Sequence, residues 1–315
     1  SKNTYMNSKE IIFIVGPTAV GKSDAAFFLS QNIQGEIISC DSMQIYKEIN
    51  IASNKPSKDI VNAIPHHLVN ILSVEEEFDV ARYNELALAA ISEIHGRDRI
   101  PVIVGGSGMY MQVLLDGIFE GGIKNEALRK DLKEQARQYG NQFLHDQLKE
   151  EDPPAAGKIH PNDVRRVIRA LEICRQEKMP ISQLQKKREG LWGKYEIRLF
   201  ALNRDRQGLY CDIDQRVEKM VQEGLVEEIE KLNNVKWSLT AKKIIGVQET
   251  QGFLKREYSL ETAIEAMKLN TRRLAKRQLT WFRKEERLEW IMMGETDTPE
   301  MVSGMIMSDI KLRTR

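Results

Sequence analysis

Gly16-Pro17-Thr18-Ala19-Val20-Gly21-Lys22-Ser23 fits the spacing G-x-x-x-x-G-K-[ST]. The short apolar run Ile11–Val15 precedes it, and a helix-compatible stretch from Lys22 to Asn32 follows. That order fixes a local geometry. A strand must end, the backbone must curl so that successive N–H groups face one point, and a helix must open with its positive dipole end toward that point. Such a cradle suits the oxygens of a diphosphate or triphosphate. Lys22 adds a point charge there, and the Ser23 hydroxyl is a candidate ligand for Mg2+. The motif specifies neither the nucleotide nor the reaction.

The rest of the chain can be arranged around that unit. Glu36–Cys40 is a second apolar run that ends at Asp41, His67–Leu72 is a third candidate strand, and Ile100–Val104 is a fourth, closed by Gly105 and Gly106. Asp79–His95 has the period of an amphipathic helix, with Ala81, Leu86, Leu88, Ala89, Ile91 and Ile94 as its apolar set. Strands alternating with helices predict an α/β fold: a parallel sheet flanked by helices, of the phosphate-loop NTPase-like kind. The texture then becomes charged, helical and turn-rich, before the strand candidate Ile197–Leu202, a mostly helical stretch and a last apolar run at Trp290–Met293. We therefore expect a core of residues 1–120 and 191–315, interrupted by a helical insertion domain at 121–190.

Composition narrows the function classes. The 315 residues are 41% hydrophobic, ample for a sizeable core. Lys and Arg number 47 against 46 Asp and Glu, so no whole-chain field drives adsorption to a polyanion or a membrane surface. The longest uncharged stretch, Ile100–Leu115, is too short to span a membrane, and the N-terminus lacks a signal-peptide pattern. Cys40, Cys174 and Cys211 are odd in number and far apart, which speaks against disulfides or a zinc finger. A monomer in a reducing cytoplasm is expected.

Charge is concentrated locally instead. Arg165–Arg188 holds eight basic residues, Lys187 among them, against Glu172 and Glu177; Lys268–Arg287 again holds eight against Glu285 and Glu286. Two windows each with an excess of six positive charges suit a nucleic acid, although either alone is compatible with a solvated helix face. Trp281 and Phe282 lie inside the second and read more readily as core than as a stacking platform. His66 and His67 have no carboxylate cluster beside them in sequence and read as packing. Glu150, Glu151 and Asp152 read as solvated surface.

Asp41 sits at the carboxyl end of a predicted strand, the edge of a parallel sheet where ligands bind. Three roles remain open from the residues alone: a Mg2+ ligand, a general base, or the cap of a following helix.

With these motifs assembled, the sequence resembles the tRNA dimethylallyltransferase (tRNA isopentenyltransferase) family over nearly its whole length. The likeness rests on GPTAVGKS at Gly16–Ser23, DSMQIY at Asp41–Tyr46, Pro65-His66-His67-Leu68, VGGSGMY at Val104–Tyr110, the segment His160–Glu172, Arg216-Val217 with Met220 and Gly224-Leu225, Ile245-Gly246, and KRQLTWFRK at Lys276–Lys284. The resemblance implies transfer of a dimethylallyl group from dimethylallyl diphosphate to N6 of adenosine at position 37 of tRNA, with Mg2+. It implies that Gly16 through Ser23 bind diphosphate, that Thr18 and Arg216 assist its departure, and that Asp41 is the general base. Asp41, Ser42, Met43, Gln44, Ser107, Arg129, Arg165, Arg166, Val167, Ile168, Arg169, Ile244, Ile245, Gly246, Val247, Gln248 and Glu249 match its tRNA-contact positions, with the insertion gripping the anticodon stem-loop. Ser107 stands where the family usually has Thr and keeps the hydroxyl. Val247 and Gln248 stand where an aromatic and a basic residue are common. The sequence ends without the zinc finger of many eukaryotic members, so the likeness is to the bacterial type.

Overall fold

The computed structural model describes residues 9–118, 125–186 and 188–313; Lys187 and residues 121–124 of the expected insertion lie outside them. The strands among these residues are β1 (Glu10–Val15), β2 (Gly35–Ser39), β3 (His66–His67), β4 (Ile100–Gly105), β5 (Glu196–Arg204) and β6 (Glu289–Met293). They form one all-parallel sheet in the order β3-β2-β4-β1-β5-β6. Order and direction are those of an α/β sheet whose crossovers are helical.

β1 lies centrally, with Ile14 in register with Val104 on one side and Phe200 on the other. All six of its residues are buried. Side chains alternate across a strand, so the apolar run divides between two cores. Ile11, Phe13 and Val15 join one; Ile12 and Ile14 join the other. This is why the run shows no polar alternation in the sequence.

The helices before the insertion are α1 (Lys22–Ile33), α2 (Lys58–Ala63), α3 (Val80–Gly96) and α4 (Gly108–Asp116). The apolar phase expected for α3 is corrected. Tyr83, Ala87, Ala90, Ile91 and Ile94 are buried, whereas Ala81, Leu88 and Ala89 are exposed. Small alanines suited either face, and Tyr83, left out of the expected set, fixes the true one by stacking on Tyr110 with ring centroids 4.0 Å apart. The strand expected at His67–Leu72 is likewise only two residues long. Leu68 and Asn70 adopt positive φ, which breaks an extended run, and Ile71 and Leu72 donate their N–H groups to the Ile45 carbonyl. In β5, residues 199–203 are buried without interruption, as its place between β1 and β6 requires.

The chain divides into two compact units, residues 1–115 with 191–315, and residues 116–190. The second holds α5 (Glu126–Tyr139), α6 (Asn141–Glu151), α7 (Pro153–Lys158), α8 (Val164–Glu177) and α9 (Ile181–Gln185). Its own core gathers Leu132, Leu144, Leu148, Val167, Ile168 and Leu171. Two buried carboxylates organise it. Asp152, expected on the surface, is fully buried: its two oxygens accept the N–H groups of Ala155 and Ser182 at 3.1 and 2.9 Å. Glu172 is also fully buried and accepts from Arg129 at 2.9 Å, Arg169 at 2.6 Å and the Asn125 N–H at 2.8 Å.

The first unit resumes with α10 (Arg206–Gln222), α11 (Leu225–Glu230), α12 (Val247–Leu254), α13 (Leu260–Phe282) and α14 (Pro299–Arg313). Among the described residues no helix is long and apolar enough to cross a membrane.

Burial alone would raise the Glu172 carboxyl, but Arg129, Arg169 and the Asn125 N–H hold it down at about 2, against an ordinary 4.5. A carboxyl depressed on folding stabilises the fold above its unfolded pKa and loses that contribution as pH falls toward the folded value. Glu172→Gln is therefore expected to cost about 3 kcal/mol at pH 7. Denaturant midpoints of the two proteins should converge as pH falls from 4.5 toward 2. A gap that stays constant with pH would contradict this ion-pair account.

Candidate active site

The phosphate loop joins β1 to α1 at the carboxyl edge of the sheet. Gly16 has φ 146°, and a Cβ there would fall 2.4 Å from the Leu202 carbonyl oxygen of β5, so only glycine fits the turn. Gly21, at φ 95°, brings the chain into α1. Within the loop the residues differ in what they offer. Pro17 has no N–H to give, and its carbonyl accepts the Lys22 Nζ at 2.7 Å. Val20 is buried in the core, so its contribution is its backbone. Thr18, Ala19, Gly21, Lys22 and Ser23 line a cavity of about 770 Å³.

Asp41 lines the same cavity from the end of β2. Its Oδ1 accepts the Met43 N–H at 2.8 Å, a turn that leaves the second oxygen available. The helix-cap reading falls away, because the next helix begins only at Lys58. Arg216, from α10, also lines the cavity and donates from Nη1 to the Thr18 hydroxyl at 3.1 Å. One wall thus holds Asp41, Lys22 and Arg216 together, each half-buried.

Their proton affinities follow. Burial raises the Asp41 carboxyl above its ordinary value, opposed by the Met43 N–H and by the charges of Lys22 and Arg216. Burial lowers Lys22 to about 8, with Asp41 opposing and Arg216 reinforcing the shift. Arg216 is lowered by burial against the pull of Asp41. Cys40, one residue before Asp41, is fully buried, and burial pushes its thiol to about 12, so it is inert.

Other expected residues divide into four groups. Ser42, Met43, Gln44, Ser107 and Ile245 line the cavity. Ile244 and Val247 are buried in the core, and Glu249 caps α12 by accepting the Gly246 N–H at 2.9 Å, so these three side chains are committed to the fold. Gln248 is exposed, and Gly246 at φ 104° forms the turn into α12. Arg129, Arg165, Arg166, Val167, Ile168 and Arg169 belong to the second unit. There Arg165 and Arg166 are exposed, Val167 and Ile168 are core, and Arg129 and Arg169 hold Glu172.

The basic window on α13 carries residues that its charge concealed. Gln278 accepts the Thr18 N–H at 2.9 Å, tying α13 to the phosphate loop. Trp281, expected in the core, is instead exposed and lines the cavity against Gly108, where a Cβ would fall 2.0 Å from its ring, while its neighbour Phe282 is fully buried as expected. The helical spacing that puts Trp281 one turn beyond Arg277 and Gln278 was the available signal. Lys268, Arg272 and Arg287 are paired with carboxylates, whereas Arg273, Lys276, Arg277, Arg283 and Lys284 are exposed. His66, expected as packing, lines the cavity with its Nδ1 on the Ile64 carbonyl, and His67 meets the buried Glu36 carboxylate at 2.7 Å.

A family model described as IPP transferase matches residues 44–285. The chain belongs to that family. A tRNA dimethylallyltransferase of Halothermothrix orenii is 40% identical over 306 residues, covering 96% of this chain and 93% of that protein. One from Acetivibrio thermocellus is 42% identical over 295 residues, covering 93% and 94%. The crystal structure of a full-length tRNA isopentenylpyrophosphate transferase from Bacillus halodurans superposes with a TM-score of 0.71 at 37% identity, covering 97% of this chain and 98% of that one. A eukaryotic dimethylallyltransferase captured acting on tRNA gives 0.80 at 30% identity, covering 98% of this chain and 80% of its own. The sheet and the phosphate loop are those of a phosphate-loop NTPase-like fold.

Lys22, lowered by burial to about 8, should lose its positive charge as pH rises past that value, and with it the contact expected of it to a bound anion. The affinity of wild type for inorganic diphosphate, divided by that of Lys22→Arg, should fall by up to about tenfold between pH 7 and 9. Calorimetric titration at the two pH values measures it. A ratio independent of pH would place the lysine outside the binding site.

Proposed function

We propose that this chain transfers a dimethylallyl group from dimethylallyl diphosphate to N6 of adenosine 37, beside the anticodon of tRNA, and releases diphosphate. The observation that carries this reading is the shared cavity: Asp41 lines it together with Lys22, Arg216 and the phosphate loop. A leaving diphosphate needs N–H donors and cations, whereas a nucleophilic amine needs a proton acceptor. Here the two lie side by side.

The carbon bonded to the diphosphate is allylic, so positive charge developing on it is delocalised. The departing group carries the larger electrostatic demand, and fixed donors in a desolvated site meet it without reorganising. In our reading, Lys22 and the loop N–H groups hold the terminal phosphate oxygens. The Thr18 hydroxyl, oriented by Arg216, donates to the bridging oxygen, and Arg216 adds the second cation. The exocyclic amine of adenine is a weak nucleophile because its lone pair is conjugated with the ring. As N6 bonds to the allylic carbon, the carbon–oxygen bond breaks, its electron pair leaves with diphosphate, and the N6 proton passes to Asp41. A raised carboxyl pKa makes Asp41 a better acceptor of that proton.

Reaching this wall requires the adenosine to leave the anticodon-loop stack. The exposed basic residues of α13 and of the second unit supply charge for the RNA backbone, with the insertion on the anticodon stem. The enzyme would act as a monomer in the cytoplasm.

Mg2+ fits the donor set. Ser23, Asp24 and Asp41 offer hard oxygen ligands to the cavity. Among the described residues no group of three or more His, Cys, Asp or Glu is placed to hold a metal. Ser23 is the residue we assign to it, and when bound the ion adds positive charge to the leaving group.

The test uses purified protein, Mg2+, radiolabelled dimethylallyl diphosphate and an unmodified anticodon stem-loop, with γ-labelled ATP in parallel. Label should enter the RNA, and Asp41→Asn should lower kcat by about 10³-fold. Stem-loop affinity, measured separately, should stay within about threefold for that variant. Transfer of γ-phosphate without prenyl label would instead make the loop that of a kinase.

A further inference from the structure

The segment after Asp41 forms one side of the cavity through Gln44 and residues 52–57. No helix or strand of its own spans residues 50–55. Three consecutive N–H groups, those of Asn50, Ile51 and Ala52, converge on a single side chain, the Glu228 carboxylate of α11, at 2.6, 2.9 and 3.1 Å. The two ends of this contact lie 176 to 178 residues apart in sequence. A carboxylate has lone pairs for all three donors, whereas no neutral side chain of that length does.

The turn beyond is closed from inside. Asn54 donates its N–H to the Ile51 carbonyl at 2.9 Å and Lys55 to that of Asn50 at 3.1 Å. Its outward carbonyls then define Gln44. The Gln44 Nε2 donates to the carbonyls of Ser53 and Asn54 at 3.4 and 3.2 Å, and its Oε1 accepts the Ser39 hydroxyl at 3.3 Å. Both amide hydrogens are thereby used. The amide is held with its nitrogen toward the turn, and one lone pair of Oε1 remains. In this orientation Gln44 acts toward a base as an acceptor of N–H and offers no free donor. It favours a base edge carrying an amino group, such as that of adenine, over an edge of bare carbonyls.

We propose that Glu228 is a positioning residue for base recognition: by gathering the N–H groups of residues 50–52 it fixes the turn whose carbonyls orient the Gln44 amide. The proposal rests on the prenyl-transfer reading above. Glu228 is absent from the cavity lining, so its influence passes through the turn.

Glu228→Gln is nearly isosteric and replaces one acceptor oxygen by a donor facing the three N–H groups. It should lower kcat/KM for the anticodon stem-loop by about tenfold. The Kd for inorganic diphosphate should stay at the wild-type value, because the phosphate loop is not part of this path. Gln44→Ala should show a loss of similar size, and the double variant no further loss, since both act on one amide. Glu228→Asp, which keeps the charge but withdraws it by one methylene, should show a smaller loss on the RNA side alone, and carries the test if Glu228→Gln fails to fold. Equal losses toward RNA and diphosphate would reduce Glu228 to a merely structural part. Multiplicative losses in the double variant would sever it from Gln44. Unchanged kinetics in both Glu228 variants, with wild type active, would overturn this inference alone; a wild-type chain that transfers no prenyl group overturns the prenyl-transfer reading and this inference with it.

Discussion

The site depends on holding Asp41, Lys22 and Arg216 in one half-buried wall. Each charge alone would be costly there. Together, the two cations and the Met43 N–H limit the rise of the Asp41 carboxyl, while Asp41 tempers the fall of both cations. The arrangement is possible because three separate stretches of chain end at one edge of a parallel sheet. β1 delivers the phosphate loop, β2 delivers Asp41, and α10, following β5, delivers Arg216. A shift of one strand register would move every side chain of that strand to the opposite face and take the wall apart.

The loop itself shows how much of such a site is backbone. Of its eight residues, Val20 faces the core, Pro17 has no donor, and the glycines contribute geometry. The side chains that project chemistry are Thr18, Lys22 and Ser23, and two of these are held in place: the Thr18 hydroxyl by Arg216, with the Thr18 N–H on Gln278, and Lys22 by the Pro17 carbonyl of the same loop. The Thr18 N–H given to Gln278 is one the phosphate cradle does not keep for itself. α13 is thus a structural partner of the phosphate loop as well as a bearer of charge. In the proposed reaction such a link would matter, because the helix offered to the RNA backbone would be fixed to the loop offered to the leaving group.

Much of the sheet was legible because the sequence signals were local. Apolar runs flanked by glycine or aspartate mark β1, β2 and β4, and the phosphate-loop spacing marks the turn into α1. What failed depended on distant partners. Leu68 and Asn70 break the third strand through backbone angles that no apolar pattern encodes. Asp152 lies in a run of acids that looks solvated, yet it is buried because the N–H of Ser182, thirty residues on, comes to it. Glu172 lies on a helix with four arginines and would pass as surface charge, but Arg129 from another helix draws it inside. Gln278 was hidden within a basic segment whose charge suggested a role by itself.

The same asymmetry separates kinds of residue within the site. Lys22 and Ser23 carry their meaning in the motif, since the loop that positions them is contiguous. Gln44 does not. Taken alone it is an amide with two donors and an acceptor, able to read several base edges. Only the carbonyls of Ser53 and Asn54 consume its donors, and those carbonyls are placed by a turn whose N–H groups end on Glu228. If the amide reads the base, its selectivity is a property of the loop and of α11 rather than of glutamine as a residue type. A short recognition motif can then be retained in full while the discrimination it performs is set by a carboxylate far away in sequence.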